Sequence, residues 1–191
     1  MTSPSTTLQP LRLSLQPGDV LPENLNWKIQ DGYIRTSTWD NDGESIVFGI
    51  WGPGDWVTAA YSGIKPVEIQ CISTVVVEQF QPDHSDVQDL LRLQIQNLEE
   101  IFQLNRIRSA DQRLLTLLAW IGRRFGQVNS KGYRFSLRDM NLTHKSLADL
   151  CGLTRVTVTK MLNRFKVDGV LQQASQDDLF IPTEAVQTIF V

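Results

Sequence analysis

The chain has 191 residues, of which 41% are hydrophobic and 20% are charged, a composition typical of soluble globular domains. No apolar run reaches the roughly 18 residues that a membrane-spanning helix needs, so no membrane span or membrane partner is expected. The net charge of −3 is unevenly spread, because residues 1–105 carry five basic and fourteen acidic side chains, whereas residues 106–191 carry thirteen basic and seven acidic ones. Only the second half is therefore suited to contact a polyanion, with a chance excess of solvated cations as the alternative.

The N-terminus and the cysteines bear on the cellular compartment. Residues 1–7 are polar and lack the charged and apolar regions of a signal peptide, so they are interpreted as a loose tail. Cys71 and Cys151 lie far apart, with no C-x-x-C pair, which disfavours a disulfide scaffold and a thiolate metal site. We expect a cytoplasmic protein without a metal.

Residues 11–82 have the pattern of a β domain. Stretches 33–39, 45–51 and 69–80 are rich in β-branched and aromatic residues, and they are separated by turn signals such as Gly-Pro-Gly-Asp at 52–55. Such spacing predicts a small antiparallel barrel or sandwich. We expect the tryptophans at positions 27, 39, 51 and 56 to fill its core, with stacking on a ligand as the alternative.

A long helix is predicted from Asp86, with Ser85 as its N-cap. Along one face, apolar residues recur at alternating four- and three-residue steps, which is a heptad seam, and a polar residue continues it. A second stripe at positions 90, 93, 101 and 104 is suited to pack on the β domain. Two apolar faces favour a helix between its own domain and a partner's helix, with burial inside one monomer as the alternative. The seam consists of Leu91, Ile95, Leu98, Phe102 and Asn105.

The last third of the chain predicts two short helices joined by a tight turn, after a helix through 114–121 that stops near Gly126 and a strand at 134–137. Thr143 and Thr154 are suited to cap the two helices, and Gly152 permits the turn between them. The inner face of the second helix is apolar at helical spacing. Its members are Val158, Met161, Leu162 and Phe165.

The outer face of the second helix is basic and polar, with Arg155, Lys160 and Asn163 among its residues. Such a face, placed after a helix and a glycine turn, is typical of the helix-turn-helix. Apolar runs at 170–171 and 179–181 flank a polar segment at 174–178, which predicts a hairpin wing. Phosphates would contact basic groups and helix N-termini, and bases would contact the outer face.

The chain resembles the Crp/Fnr family of bacterial regulators across almost its whole length. Residues 142–162 fit L-T-x-x-x-L-A-x-L-x-G-L-T-R-x-T-V-T-x-x-L without gaps, and the run 154–159 is especially similar to the cyanobacterial nitrogen regulators of this family. The Gly-Pro-Gly-Asp segment and the Arg-Phe-Gly segment at 124–126 add support. The resemblance implies an α+β fold: an N-terminal antiparallel β-roll (1–82), a long dimerisation helix (83–108) and a C-terminal winged helix-turn-helix (109–191).

The resemblance also assigns roles to positions. Arg155 matches a guanine-reading arginine, Lys160 stands where many members place a second base- or phosphate-contacting arginine, and Thr157 matches a phosphate-contacting threonine. Val156 departs from the glutamate of many members; because valine can only contact a thymine methyl group, a different half-site is expected. The start of the first helix is implied to meet the DNA backbone. The predicted DNA-binding set is Thr143, His144, Lys145, Thr154, Arg155, Val156, Thr157, Thr159 and Lys160.

The sensor domain departs from the cyclic-nucleotide binders of the family. Those members carry Gly-Glu and Arg-Ser-Ala segments that bind ribose and phosphate, whereas this chain has Thr58-Ala59 and Lys65-Pro66-Val67. Pro66 has no N–H to donate, and the N-terminal cysteine cluster of iron–sulfur members is absent. We expect no cofactor and no control by cyclic AMP. Another effector, bound through Lys65, and no effector at all are both left open.

An enzyme is not expected. His84 and His144 have no triad or metal spacing around them, and the segment at 52–54 lacks the length and lysine of a phosphate loop. The competing hypothesis is a winged-helix protein-interaction module without specific DNA binding. The implied partners are double-stranded DNA, a second copy of the chain and RNA polymerase.

Overall fold

A computed structural model describes residues 10–175 and 177–187, so the polar segment 1–7 and Gln176 of the predicted wing loop lie outside the described residues. The N-terminal half forms two antiparallel sheets, with strand orders β1-β7-β2-β5 and β4-β3-β6. The predicted β domain is confirmed. Its strands are β1 (Arg12–Leu15), β2 (Trp27–Asp31), β3 (Ile34–Trp39), β4 (Ser45–Trp51), β5 (Trp56–Val57), β6 (Glu68–Cys71) and β7 (Val75–Gln79).

The β-rich stretch 69–80 forms two strands, β6 and β7. β6 pairs with β3 in one sheet and β7 pairs with β1 and β2 in the other. Between them the backbone N–H groups of Ile72 and Ser73 both donate to the carbonyl of Tyr33, which turns the chain from one sheet to the other. Because β propensity is continuous along residues 69–80, the sequence does not reveal where the chain crosses from one sheet to the other.

The tryptophans divide between core and surface. Trp27 and Trp51 are buried in the β domain, and Trp56 is half-buried against Phe80, with ring centroids 5.0 Å apart. Trp39 was expected in the core but is exposed, because it ends β3 opposite Ser45 at the tip of the β3–β4 hairpin, beyond the other strands.

Helix α1 (His84–Arg106) begins two residues earlier than predicted. Its N-cap is Asp83 rather than Ser85: the Asp83 carboxylate accepts from the amide of Asp86 at 2.9 Å, and the Asp86 carboxylate accepts from the amide of Asp83 at 3.0 Å. This reciprocal capping box satisfies two backbone donors, which a serine at position 85 would not do. Among the described residues, no helix combines the length and apolar composition that crossing a bilayer demands.

The two faces of α1 differ sharply. Leu90 and Leu104 are buried against the rest of the chain, and Leu93 packs on the β domain. The predicted seam lies on the other side and is exposed, with Ile95 at 57% and Phe102 at 68% of their full accessible surface. Among the described residues, the helix is therefore not enclosed within one monomer, and none of them covers the apolar stripe along it.

The C-terminal part confirms the winged helix-turn-helix, with a four-stranded sheet in the order β10-β11-β9-β8. The sequence prediction missed β8 and placed the first wing strand at 170–171, where Leu171 instead is buried and its amide bonds to the carbonyl of Phe165. The elements are α2 (Ala110–Phe125), β8 (Gln127–Asn129), β9 (Gly132–Ser136), α3 (His144–Cys151), α4 (Arg155–Val167), β10 (Gln172–Gln173), β11 (Asp178–Pro182) and α5 (Thr183–Gln187).

Two apolar clusters form the core. One fills the β domain around Trp27 and Val77, and the other fills the C-terminal domain around Leu118 and Ile181. The second cluster also takes in Ile50 of β4, so the two domains share packed surface. Each cluster holds one free, buried cysteine, which is Cys71 in the first and Cys151 in the second.

Candidate nucleic-acid interface

The turn between α3 and α4 is built as predicted. Thr143 caps α3: its hydroxyl accepts from the amide of Ser146 at 3.1 Å, and its own amide donates to the Ser146 hydroxyl at 3.3 Å. Gly152 ends α3 in the left-handed region, with φ 59° and ψ 45°, a conformation that glycine adopts without the strain of a Cβ atom. From α2, the guanidinium of Arg113 donates to the carbonyl of Cys151 at 2.9 Å and holds this corner.

Helix α4 presents one apolar and one polar face. Thr154 caps it by accepting from the amide of Thr157 at 3.2 Å. The four predicted inner-face residues, from Val158 to Phe165, are all buried. On the opposite side Arg155, Lys160 and Val156 are exposed, the valine at 63%. Solvent-facing apolar and cationic groups at the start of a helix are suited to contact base edges.

His144 links the two helices. Its Nδ1 lies 2.8 Å from the Thr159 hydroxyl, which in turn donates to the carbonyl of Arg155 at 3.0 Å, so the ring is the donor to Thr159. Partial burial, followed by the charges of Arg155 and Lys166, lowers the pKa of His144 and keeps the ring neutral at neutral pH. Its Nε2 is then an acceptor, so the phosphate contact carried over from the family stays a prediction.

Several basic side chains of the C-terminal domain, residues 109–191, which we call the reading head, are already paired. Lys145 donates to Asp149 at 2.6 Å, and this hydrogen bond raises the pKa of the lysine. Arg134 and Arg138 bind Asp178 and Asp177, at 2.9 and 2.8 Å. Residues 134–166 carry seven basic and two acidic side chains, and the two wing carboxylates lie just outside this range, so a count over it overstates the free charge.

The cations of α4 differ in whether a carboxylate holds them. Arg164 pairs with Asp111 of α2. Within the described residues, no hydrogen bond or ion pair holds the charged groups of Arg155 or Lys160. Both lie on the outer side of α4. Residues from both helices meet beside them in an open hollow, lined by Thr143, His144, Lys145 and Arg155. The structure thus brings the start of α3 and the start of α4 to one concave surface, where backbone N–H groups favour anions.

The β domain contains a cavity of about 240 Å³ against α1, smaller than the roughly 300–1,000 Å³ of ordinary small-molecule sites. Phe48, Trp51 and Tyr61 contribute to its wall, as does Leu98 of the α1 seam, and no lining side chain is charged at neutral pH. Lys65 is exposed and does not line it. No group of three or more His, Cys, Asp or Glu side chains suited to a metal ion occurs in the described part of the chain.

Comparison with known proteins agrees with this architecture. Residues 112–184 match the model of the Crp-like helix-turn-helix domain. The regulatory protein CysR of Synechococcus elongatus is 38% identical over 170 residues, covering 88% of this chain and 82% of that protein. The global nitrogen regulator of Synechocystis is 34% identical over 173 residues, covering 81% and 74%.

Solved structures share the fold over almost the whole chain. FixK2 of Bradyrhizobium japonicum superposes with a TM-score of 0.75 at 16% identity, covering 96% of each chain. A Crp/Fnr regulator of Thermus thermophilus gives 0.67 at 16% identity, covering 94% of this chain and 96% of that one. The chain belongs to the Crp/Fnr family of DNA-binding transcription regulators.

Proposed function

We propose that the protein binds an inverted-repeat DNA site as a homodimer and reads its sequence with α4. The observation that carries this proposal is the outer surface of α4, where Arg155, Val156 and Lys160 are exposed and the two cations have no partner in the part of the chain that the structure describes. A guanidinium free of carboxylates can donate two parallel hydrogen bonds to guanine O6 and N7, and a valine methyl can contact the methyl group of thymine.

The rest of the predicted set supports this surface. Thr143, Lys145 and Thr157 lie at the starts of α3 and α4, where we assign contacts to phosphate. Thr154 and Thr159 act mainly through the fold, because one caps α4 and the other joins His144 to α4. Contacts to base edges are therefore assigned only to the exposed residues on the outer surface of α4.

The exposed seam of α1 supports the homodimer. An uncovered apolar stripe on a long helix is the surface that a second copy buries in a two-fold coiled coil. Asn105 continues the stripe, and its side-chain Nδ2 donates to the backbone carbonyl of Ile101 at 3.1 Å. Two-fold symmetry would place the α4 helices in successive major grooves, about 34 Å apart.

The proposed organisation keeps the domains as 1–82, 83–108 and 109–191. RNA polymerase is the proposed further partner, since the family regulates transcription. The buried, unbridged thiols Cys71 and Cys151 support a reducing compartment, and we propose the cytoplasm.

Selection of random DNA fragments on the purified protein should recover an inverted repeat. The logarithm of the affinity for this repeat should fall linearly with the logarithm of the salt concentration. The slope, about −0.9 for each phosphate neutralised, should report several phosphate contacts. Scrambled DNA of equal length is the control. Recovery of no shared sequence, with equal affinity for the scrambled DNA, would support a protein-interaction module instead.

Cyclic AMP should not bind. The cavity holds no cation for a cyclic phosphate, Ala59 replaces the family glutamate, and Lys65 faces solvent. A phosphate buried without convergent donors is strongly disfavoured. Calorimetry should show no binding with a dissociation constant below about 10 μM, which corresponds to a binding free energy near 7 kcal/mol in magnitude. Tighter binding in that measurement would contradict the assignment.

A further inference from the structure

Two motifs that lie far apart in the sequence meet at one guanidinium group. Arg124, near the end of α2, donates through NH2 to Oδ2 of Asp55 and through NH1 to Oδ1 of Asn97, both at 2.9 Å. Asp55 belongs to the turn before β5, and Asn97 belongs to α1. A single side chain therefore joins the β domain, the long helix and the DNA-binding domain.

The surroundings of this group are largely shielded from solvent. The side chains of Arg124 and Asp55 keep 17% and 21% of their accessible surface. The guanidinium carbon lies 5.6 Å from the ring centre of Trp51 and 5.2 Å from that of Phe125. Such a pair is screened by salt much less than an exposed one, and aromatic faces hold the planar cation in place.

The turn that carries Asp55 is shaped for this contact. Oδ2 of Asp55 also accepts from the amide of Gly52 at 2.9 Å, which fixes the carboxylate. A Cβ atom at Gly52 would lie 3.1 Å from atoms of Phe125 and Tyr33, so glycine allows the turn to approach the end of α2. The Gly-Pro-Gly-Asp and Arg-Phe-Gly segments thus form one contact.

Asn97 is an unusual residue for the buried face of a helix. It is 1% exposed, and neither its Nδ2 nor Nε of Arg124 has a hydrogen-bond partner among the described residues. A buried, half-satisfied amide lowers the stability of the fold. Its bond to Arg124 is a specific reason for an asparagine here, and it points to alignment of α2 on α1 rather than to stability.

We propose that Arg124 is a positioning residue that sets the separation and angle of the two reading heads in the dimer. The inference rests on the proposed binding of an inverted repeat. Because α1 carries the dimer seam, a DNA-binding domain fixed to α1 is also fixed relative to its twin. Rigid alignment makes the second half-site an intramolecular contact, which raises affinity by about 10²–10⁴ only when the geometry matches the spacing.

The test is the dependence of affinity on half-site spacing. Arg124→Gln should bind the selected repeat at least about tenfold more weakly than the unchanged protein, because loss of alignment lowers the effective concentration of the second head. On repeats with two base pairs inserted or removed, and on a single half-site, the variant should bind as the unchanged protein does. Its spacing preference should shrink to within about threefold.

Matched variants separate alignment from folding. Arg123→Gln removes the same charge one residue earlier. Arg123 also pairs with α1, through Glu100, but it is 55% exposed, and because exposed ion pairs contribute little, this variant should keep the full spacing preference. Asp55→Asn should weaken the preference in the same direction as Arg124→Gln. Circular dichroism and half-site affinity report whether the variants remain folded.

The outcomes are distinct. If the unchanged protein shows no spacing preference, the proposed inverted-repeat function fails. If it shows one and folded Arg124→Gln and Asp55→Asn both retain it, or if Arg123→Gln loses it equally, Arg124 is not the positioning residue. A parallel loss on half-site and full site would also overturn the inference, since it would indicate damage to the reading head alone.

Discussion

A glutamate in place of Ile95 should convert the dimer into monomers that have lost most specific DNA binding. Ile95 is 57% exposed in the single chain, so the substitution leaves the monomer core intact. Paired helices would bury two unpaired carboxylates, and an uncompensated buried charge costs about 3–5 kcal/mol. Sedimentation at micromolar concentration should therefore show monomers, and affinity for the inverted repeat should fall to that of a half-site.

Two features of α1 sharpen this experiment. Leu98 is also on the seam but borders the cavity of the β domain, so a change there would mix two effects. Gln103→Glu adds the same charge at an exposed position off the seam and should leave the dimer unchanged. A dimeric Ile95→Glu protein at micromolar concentration would show that the seam is misplaced.

Alanine in place of Arg155 should relax sequence preference at one base pair in each half-site. Loss of a bidentate contact to guanine costs about 1–3 kcal/mol per half-site, and the loss disappears on DNA that already lacks that guanine. The free guanidinium at the start of α4 is the reason for this expectation. Competition binding on the selected site and on each single-base variant measures it. Full discrimination retained at every position would refute the assignment.

Lys145→Ala should behave differently from Arg155→Ala. A phosphate contact weakens binding to all sequences alike and flattens the salt dependence by about one charge per subunit. Because Lys145 is paired with Asp149, its removal also leaves a carboxylate near the DNA. The double variant with Asp149→Asn should recover part of the loss. Lys131→Ala, at the exposed β8–β9 turn, is the control for a solvated cation.

Local patterns were sufficient for much of the structure. The caps Thr143 and Thr154, the turn at Gly152 and the buried face of α4 all follow from residue type and helical spacing within a short window. Even the exposed seam of α1 follows from a heptad. Local competition between Asp83 and Ser85 for one cap was misjudged because both residue types are good N-caps, and only the reciprocal bond with Asp86 separates them.

Contacts between residues far apart in the chain could not be predicted from the sequence. The wing aspartates 177 and 178 reduce the free charge of residues 134–166, yet they follow that stretch in sequence by more than ten residues. The meeting of Asp55, Asn97 and Arg124 depends on how two domains pack, which no periodicity encodes. Both motifs around that contact are visible in the sequence, but only the structure shows that they contact each other.

The placement of the cysteines allows the opening of each domain to be followed by the labelling rate of its own thiol. Burial raises the pKa of Cys71 to about 11 and that of Cys151 to about 12, so almost no reactive thiolate is present at neutral pH. A thiol reagent can reach either sulfur only when the surrounding core opens. Because one cysteine lies in each apolar cluster, the two labelling rates report the opening of the β domain and of the DNA-binding domain separately. DNA should slow the labelling of Cys151, and slowing at Cys71 as well would measure how far the stabilisation spreads between the domains.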